Sequence, residues 1–217
     1  MLLLYITNRV QFTGDESARQ GALFAKMAEA ARCGVDLIQL REKDLSIREL
    51  EILARTAVRV VRENSPPQTE KREAPTRLLV NSRTDVAITS GADGVHLRSN
   101  DILPSDVQEI WLAGRQRTHS LVSVSCHSAA EVARATSEGA NFIVFAPIFE
   151  KKDAPQAGPA GLDGLSEVCR QKIPVLALGG ITIKNARVCL DAGAAGIAGI
   201  RLFQENDIAE VVRRLKA

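Results

Sequence analysis

Aromatic residues are scarce in this chain, and no apolar run is long. Phe, Trp and Tyr make up 4% of its 217 residues, too few for the stacking platforms that hold single-stranded nucleic acid. Neither sign of charge is in excess. Twenty-eight Lys and Arg stand against 26 Asp and Glu, a net of +2 spread along the chain, so no basic stripe marks a polyanion partner, and the pI of about 8.4 does not alter this. The four cysteines, Cys33, Cys126, Cys169 and Cys189, lie far apart with no C-x-x-C spacing. That argues against a zinc site or disulfide framework and for reduced thiols. The apolar start, Met1 to Ile6, is too short for a signal core or a membrane span and reads as a buried first strand. The expectation from these absences is a soluble cytoplasmic protein with neither nucleic acid nor membrane as partner.

What the chain does have is alternation. It is 45% hydrophobic, and apolar runs rich in Val, Ile and Leu occur at Leu2–Thr7, Asp36–Leu40, Arg77–Asn81, Gly94–Leu97, Leu121–Ser125, Phe142–Ala146, Pro174–Leu178 and Gly196–Ile200. Stretches of helical periodicity lie between most of them: Gln20–Cys33, Ile47–Arg62, Ala129–Glu138, Leu162–Gln171 and Asn185–Ala192. Eight strand signals with helices between them predict a (β/α)8 barrel, with residues 1–217 as a single domain. A doubly wound open sheet is the alternative. A faint repeat supports the barrel: Cys33-Gly34-Val35-Asp36, Gly91-Ala92-Asp93-Gly94, Gly139-Ala140-Asn141 and Gly193-Ala194-Ala195-Gly196 each put glycine where a helix ends and a strand begins. The polar, proline-containing stretch Ser65–Thr76 reads as a surface loop on the face away from any chemistry.

In a barrel of this kind the chemistry belongs at the C-terminal ends of the strands. Read in order, those ends carry Thr7-Asn8-Arg9, Gln39, Arg41 and Lys43, Asn81-Ser82-Arg83, His96, Ser125-Cys126-His127, Pro147-Ile148-Phe149-Glu150, Gly179-Gly180 and Gly199-Ile200-Arg201. A cationic cluster after one strand and a Gly-Gly turn after another suit a phosphorylated small molecule, because glycine lets bare backbone approach a phosphate. Bland readings compete at single positions. Arg41 with Lys43 could be a solvated rim pair, and His127 a helix N-terminal residue without chemistry. His96 reads as a packed, hydrogen-bonded histidine, and His119 falls on the opposite rim.

The segments Gln39-x-Arg41-x-Lys43, Val80-Asn81-x-Arg83-x-Asp85-Val86-Ala87, Gly91-Ala92-Asp93-Gly94-Val95-His96-Leu97, Ser125-x-His127-Ser128, Pro147-Ile148-Phe149 and Ala177-Leu178-Gly179-Gly180-Ile181 resemble, in order and spacing, the thiamine phosphate synthase superfamily. That superfamily includes the TenI-type thiazole tautomerases, and the barrel fold comes with the resemblance. One branch couples hydroxymethylpyrimidine pyrophosphate to a (carboxy)thiazole phosphate and releases pyrophosphate, using Mg²⁺ on carboxylates with cationic side chains. The other isomerises a carboxythiazole phosphate with a general base and no metal.

The chain departs from the synthase pattern at three points. The Asn-Asp pair expected after the third strand is Asn81-Ser82, so one metal carboxylate is missing, while Asp101 stands where the second is expected. Where the Thr-x-Thr-Lys segment that grips pyrophosphate is expected, Phe149 is followed by Glu150-Lys151-Lys152-Asp153: either the threonines are replaced, or the loop is about three residues shorter and Lys151 keeps the lysine role. Arg201 stands in place of a serine at the phosphate site, where its guanidinium can bind phosphate bidentately. The resemblance thus implies a transferase of thiamine biosynthesis with a degenerate metal and pyrophosphate site. It assigns His127, Arg41 and Lys43 to catalysis and Gln39, Asn81, Ser125, Lys151 and Lys152 to substrate binding. Gly179, Gly180, Ile200 and Arg201 fall to phosphate binding, and Asp101 to metal. A metal-free tautomerase using His127 as acid and base stays open, as does a non-catalytic thiazole-phosphate binder. Asp101 has its own plain alternative as an N-cap of the helix that follows. Family members commonly pair or form rings, so a homo-oligomer is expected.

Overall fold

The computed structural model describes residues 1–66, 74–114, 120–149 and 158–216. Within them eight strands run parallel in chain order: β1 (Leu2–Ile6), β2 (Leu37–Leu40), β3 (Arg77–Asn81), β4 (Gly94–Leu97), β5 (Leu121–Cys126), β6 (Phe142–Phe145), β7 (Val175–Ala177) and β8 (Gly196–Gly199). Each pairs with the next, and β8 closes on β1 through the register Leu2↔Gly196 to Tyr5↔Gly199. Helices follow the strands: α1 (Glu16–Cys33), α2 (Ile47–Asn64), α3 (Thr84–Ser90), α4 (Pro104–Ala113), α5 (Ala129–Ser137), α6 (Gly161–Val168), α7 (Ala186–Asp191), α8 (Arg201–Gln204) and α9 (Ile208–Lys216). The (β/α)8 expectation holds and the open sheet is dismissed.

Local chemistry explains these elements. In α2 the Ser46 side chain accepts from the Glu49 N–H while the Glu49 carboxylate accepts from the Ser46 N–H, a reciprocal cap worth about 1 kcal/mol. Leu50, Leu53, Ala54, Ala57, Val58 and Val61 then recur at three- and four-residue spacing and are buried against the sheet. Each large side chain so buried contributes roughly 1.5–3 kcal/mol. Helix α1 starts earlier than its periodicity suggests, at Glu16, because Asp15 caps it by accepting from the Ala18 N–H. The repeated glycines do the turning expected of them: Gly34, Gly91, Gly139 and Gly193 all have positive φ, between 74° and 103°.

Period-two alternation decides what faces the barrel axis. Leu4, Ile6, Leu37, Leu79, Phe142, Val144, Leu176 and Ala198 form the interior cluster, whereas Leu3, Tyr5, Ile38, Leu40, Val80, Val95 and Ile197 pack outward under the helices. Gln39 is in phase with Leu37, Asn81 with Leu79, and Ser125 with Ser123. The inward set thus turns polar as it nears the C-terminal rim.

Candidate active site

A cavity of about 1080 Å³ opens at that rim, lined by residues from the C-terminal ends of most strands. Its floor is the polar inward layer. Gln39 donates from Nε2 to Asn81 Oδ1 at 2.8 Å, and its own Oε1 is buried without a partner among the described residues. An unsatisfied buried carbonyl oxygen in a cavity wall is an acceptor waiting for a ligand's N–H. His96 lies between two hydroxyls, with Nδ1 2.8 Å from Ser123 Oγ and Nε2 2.8 Å from Ser125 Oγ. Burial, then the charge of Arg41, pulls its pKa down to about 4, so the imidazole is neutral. The packed histidine read from sequence is therefore what the fold contains, although it also forms part of the cavity wall.

Beside the floor, His127 projects from the end of β5. Its Nδ1 is 2.7 Å from the Ala146 carbonyl oxygen, which can only accept, so Nδ1 carries a hydrogen and Nε2 is the ring nitrogen left for a ligand. His127 is exposed and lines the cavity. Its position at the start of α5 is also real: its N–H donates to Glu131, and Ser128 is the N-cap.

Cations gather on two arcs of the mouth. After β2 come Arg41, half-buried, and Lys43, exposed; neither makes an ion pair among the described residues. Burial lowers the pKa of Arg41. Lys43 is lowered first by the charge of Arg41, then by burial and by Arg98. Behind them a buried network fixes the loop. Thr7 donates to Glu42 at 2.6 Å and accepts from the Arg41 N–H, and Arg9 spans Glu16, Glu42 and Asp44. With side-chain exposures of 3% for Arg9 and 1% for Glu42, this ion pair is nearly dry. Its loss would leave a buried charge uncompensated. On the other arc, the β7 and β8 ends bring Gly179, Gly180, Ile200 and Arg201 to the cavity together with Lys184. Gly179 is required there: its φ is +104°, and an added Cβ would lie 2.8 Å from Pro147 Cα.

The sequence-derived set is thus brought to one cavity, apart from Lys151 and Lys152, which lie with His119 outside the described residues, and Asp101. The Asp101 carboxylate does not line the cavity. Nor does it cap the following helix, the plain reading of its position: the N-cap of α4 is Leu103, followed by Pro104, a residue suited to a helix start because it lacks the N–H left unbonded there. Instead Oδ2 accepts from Ser82 Oγ at 2.7 Å and from the Arg98 N–H at 2.8 Å, and Oδ1 accepts from Arg98 Nε and Nη2 at 3.1 and 2.9 Å. Both oxygens are saturated by donors. The Ser82 hydroxyl points its hydrogen at the carboxylate. These residues do not fit Mg²⁺, which wants free anionic oxygens, and the described residues hold no cluster of three or more His, Cys, Asp or Glu placed for a metal ion.

Residues missed from the sequence are Arg98, Lys184 and Arg214, all on the cavity. Arg98 lies one residue past the end of β4 and was within reach of a strand-end reading. Lys184 follows the Gly-Gly turn. Arg214 comes from α9, and no local signal ties it to the site.

A closed parallel barrel with a cation-rimmed polar cavity at its C-terminal mouth defines a barrel enzyme acting on phosphorylated small molecules. The family described as thiamine monophosphate synthase matches residues 10–203, and the chain belongs to it. It is 35% identical to a thiamine-phosphate synthase of Methanoculleus marisnigri over 93% of this chain and 90% of the relative. It is 36% identical to one of Methanocella arvoryzae, with 94% and 91% covered. The solved thiamine phosphate pyrophosphorylase of Pyrococcus furiosus superposes with a TM-score of 0.76 at 28% identity, covering 99% of this chain and 93% of that one. A likeness to 3-hexulose-6-phosphate synthase, with a TM-score of 0.67 at 15% identity, is one of fold alone. No described helix is long and apolar enough to cross a membrane.

Proposed function

We propose that this protein, as a single barrel domain in the cytoplasm, is a transferase of thiamine biosynthesis. It couples hydroxymethylpyrimidine pyrophosphate to a (carboxy)thiazole phosphate. The observation that carries this reading is the presence of two separate groups of cations on one cavity. Arg41 and Lys43 after β2 and Arg98 after β4 make one; Arg201 and Lys184, with the Gly179-Gly180 turn, make the other after β8 and β7. In an eight-stranded ring β4 faces β8, so Arg98 and Arg201 follow opposite strands, while β2, which carries Arg41 and Lys43, is parted from β8 by β1 alone. Two such groups suit two anionic substrates held in one cavity.

In this reading Gln39 Oε1 takes an N–H of the aminopyrimidine, with Asn81 holding the Gln39 amide in place. The thiazole phosphate is held by the backbone at Gly179, Gly180 and Ile200 and by the Arg201 guanidinium. The thiazole ring nitrogen bonds to the pyrimidine methylene carbon as the carbon–oxygen bond to pyrophosphate breaks, and that electron pair leaves with the pyrophosphate; with the carboxythiazole, the ring carboxylate then leaves as CO2 and a proton takes its place on the ring carbon. Arg41 and Lys43 offset the charge that develops on the leaving group. Lys151 and Lys152 are proposed to add to them. Ser125, held by His96, presents its hydroxyl to the floor of the cavity.

One observation favours a second reading, a thiazole tautomerase: His127 is on the cavity with Nδ1 anchored to the Ala146 carbonyl oxygen, which leaves Nε2 as the atom to move a ring proton. A coupled assay with both substrates, and with the thiazole alone, decides between the two. Thiamine phosphate formation that survives His127→Ala supports the transferase. Isomerisation of the thiazole alone, lost in His127→Ala and without coupling, supports the tautomerase. Thiazole phosphate binding with no turnover of either kind would leave only a binding protein.

A further inference from the structure

The Arg98–Asp101–Ser82 corner carries an inference that rests on the transferase reading. We propose that Arg98 stands in for a divalent metal in this chain, so that pyrophosphate is bound by Arg41, Lys43 and Arg98 without Mg²⁺. The geometry is one-sided. The Asp101 side chain is 12% exposed and that of Arg98 62% exposed, so the carboxylate lies behind and the guanidinium in front, on the cavity wall. Asp101 has four acceptor positions and four donors: Ser82 Oγ, the Arg98 N–H, and Arg98 Nε and Nη2. It has no lone pair free for a metal unless Arg98 is displaced.

Arg98, by contrast, spends only two of its five guanidinium N–H groups on Asp101, leaving three for an anion. Asp101 therefore acts as the brace that points a fixed cation at the ligand. Ser82 supports the same arrangement. At φ +56° it holds an uncommon left-handed backbone, and its hydroxyl bonds Oδ2, the Asp101 oxygen that the Arg98 guanidinium does not use. Arg41 and Lys43, without an ion pair among the described residues, complete a cluster whose like charges repel, and an incoming polyanion relieves that repulsion.

The test is calorimetric titration of the whole protein with inorganic pyrophosphate, in chelator and in Mg²⁺, beside electron paramagnetic resonance of added Mn²⁺. Pyrophosphate should bind in chelator. Arg98→Ala should weaken it there by about tenfold or more, as expected for losing charged hydrogen bonds, and Arg98→Lys should recover part of the loss. Mn²⁺ alone should show no bound signal with the natural chain and should gain one in Arg98→Ala, where Asp101 is freed. Because Arg98 is largely exposed, these variants keep the fold. Pyrophosphate binding that requires Mg²⁺, or an affinity indifferent to Arg98, overturns the proposal. If that happens while thiamine phosphate still forms in the coupled assay, the transferase reading survives. If pyrophosphate binds in neither buffer and no coupling occurs, both readings are wrong.

Discussion

His96 illustrates how one residue's surroundings decide its chemistry. An exposed histidine would titrate near pH 6.5, but burial and the neighbouring Arg41 charge hold this one at about 4 against a weaker opposing pull from Asp101. The unfolded chain binds a proton here below about pH 6.5, whereas the folded chain does not until about pH 4. The stability tied to His96 is therefore complete above pH 6.5 and is lost as pH falls toward 4, by roughly 3 kcal/mol in all. Urea unfolding of the natural chain between pH 7 and pH 5 should show this decline, and His96→Asn, less stable at pH 7, should show a shallower one. An equal slope in both proteins would remove His96 from the account. At this scale Arg41, Lys43, Gln39 and Asn81 were legible because an apolar run seldom ends in clustered charge and amide groups unless they face water or a ligand. Arg98 was not, because a lone arginine beyond a strand looks like any surface residue until Asp101 is seen holding it.

At the scale of elements, the turns between strand and helix set the site. The β7 strand runs on into Leu178, and the chain then bends through Gly179 and Gly180, both at positive φ, while the Gly179 carbonyl accepts from the Phe149 N–H at 3.1 Å. Gly179→Ala is strained twice over, by its φ and by contact with Pro147, a backbone neighbour that cannot turn aside. We expect a loss of about 1–3 kcal/mol in thermal stability together with a KM for thiazole phosphate raised about tenfold or more, the latter being the informative half. A variant destabilised but unchanged in KM would mean that the turn does not hold the phosphate. The Gly-Gly turn and the four helix-ending glycines were readable because positive φ is a local property that glycine announces. Helix α8, of four residues, was not, being barely one turn of a 3.6-residue period, whereas α7, of six, was read within Asn185–Ala192. The start of α4 departs from expectation for a related reason. Asp is a favoured cap, and nothing local said that Arg98 and Ser82 would claim it first.

For the whole molecule the decisive contact is the seam where β8 meets β1, joining the two ends of the chain. Leu2 pairs with Gly196 so closely that a Cβ at Gly196 would lie 2.1 Å from the Leu2 carbonyl oxygen. Gly196→Val should prevent closure, seen as loss of a cooperative thermal transition by circular dichroism. A variant that still melts cooperatively near the natural temperature would show that the seam tolerates separation. Closure also brings Arg41 and Arg201 to one cavity, since neighbours in the ring are neighbours in the chain everywhere except at this seam.

The sequence by itself determined the strand count, the inward and outward phases and the strand ends that carry polar groups, because these follow from backbone periodicity and from the side chains each position offers. Only the tertiary structure decided which of those groups meet. The saturation of Asp101 by Arg98 and Ser82, the Gln39 acceptor left without a partner among the described residues, the neutral His96 and the cations gathered on one cavity all depend on which elements the fold brings together. Hydrogen bonding and burial act over a few ångströms in space, regardless of separation along the chain.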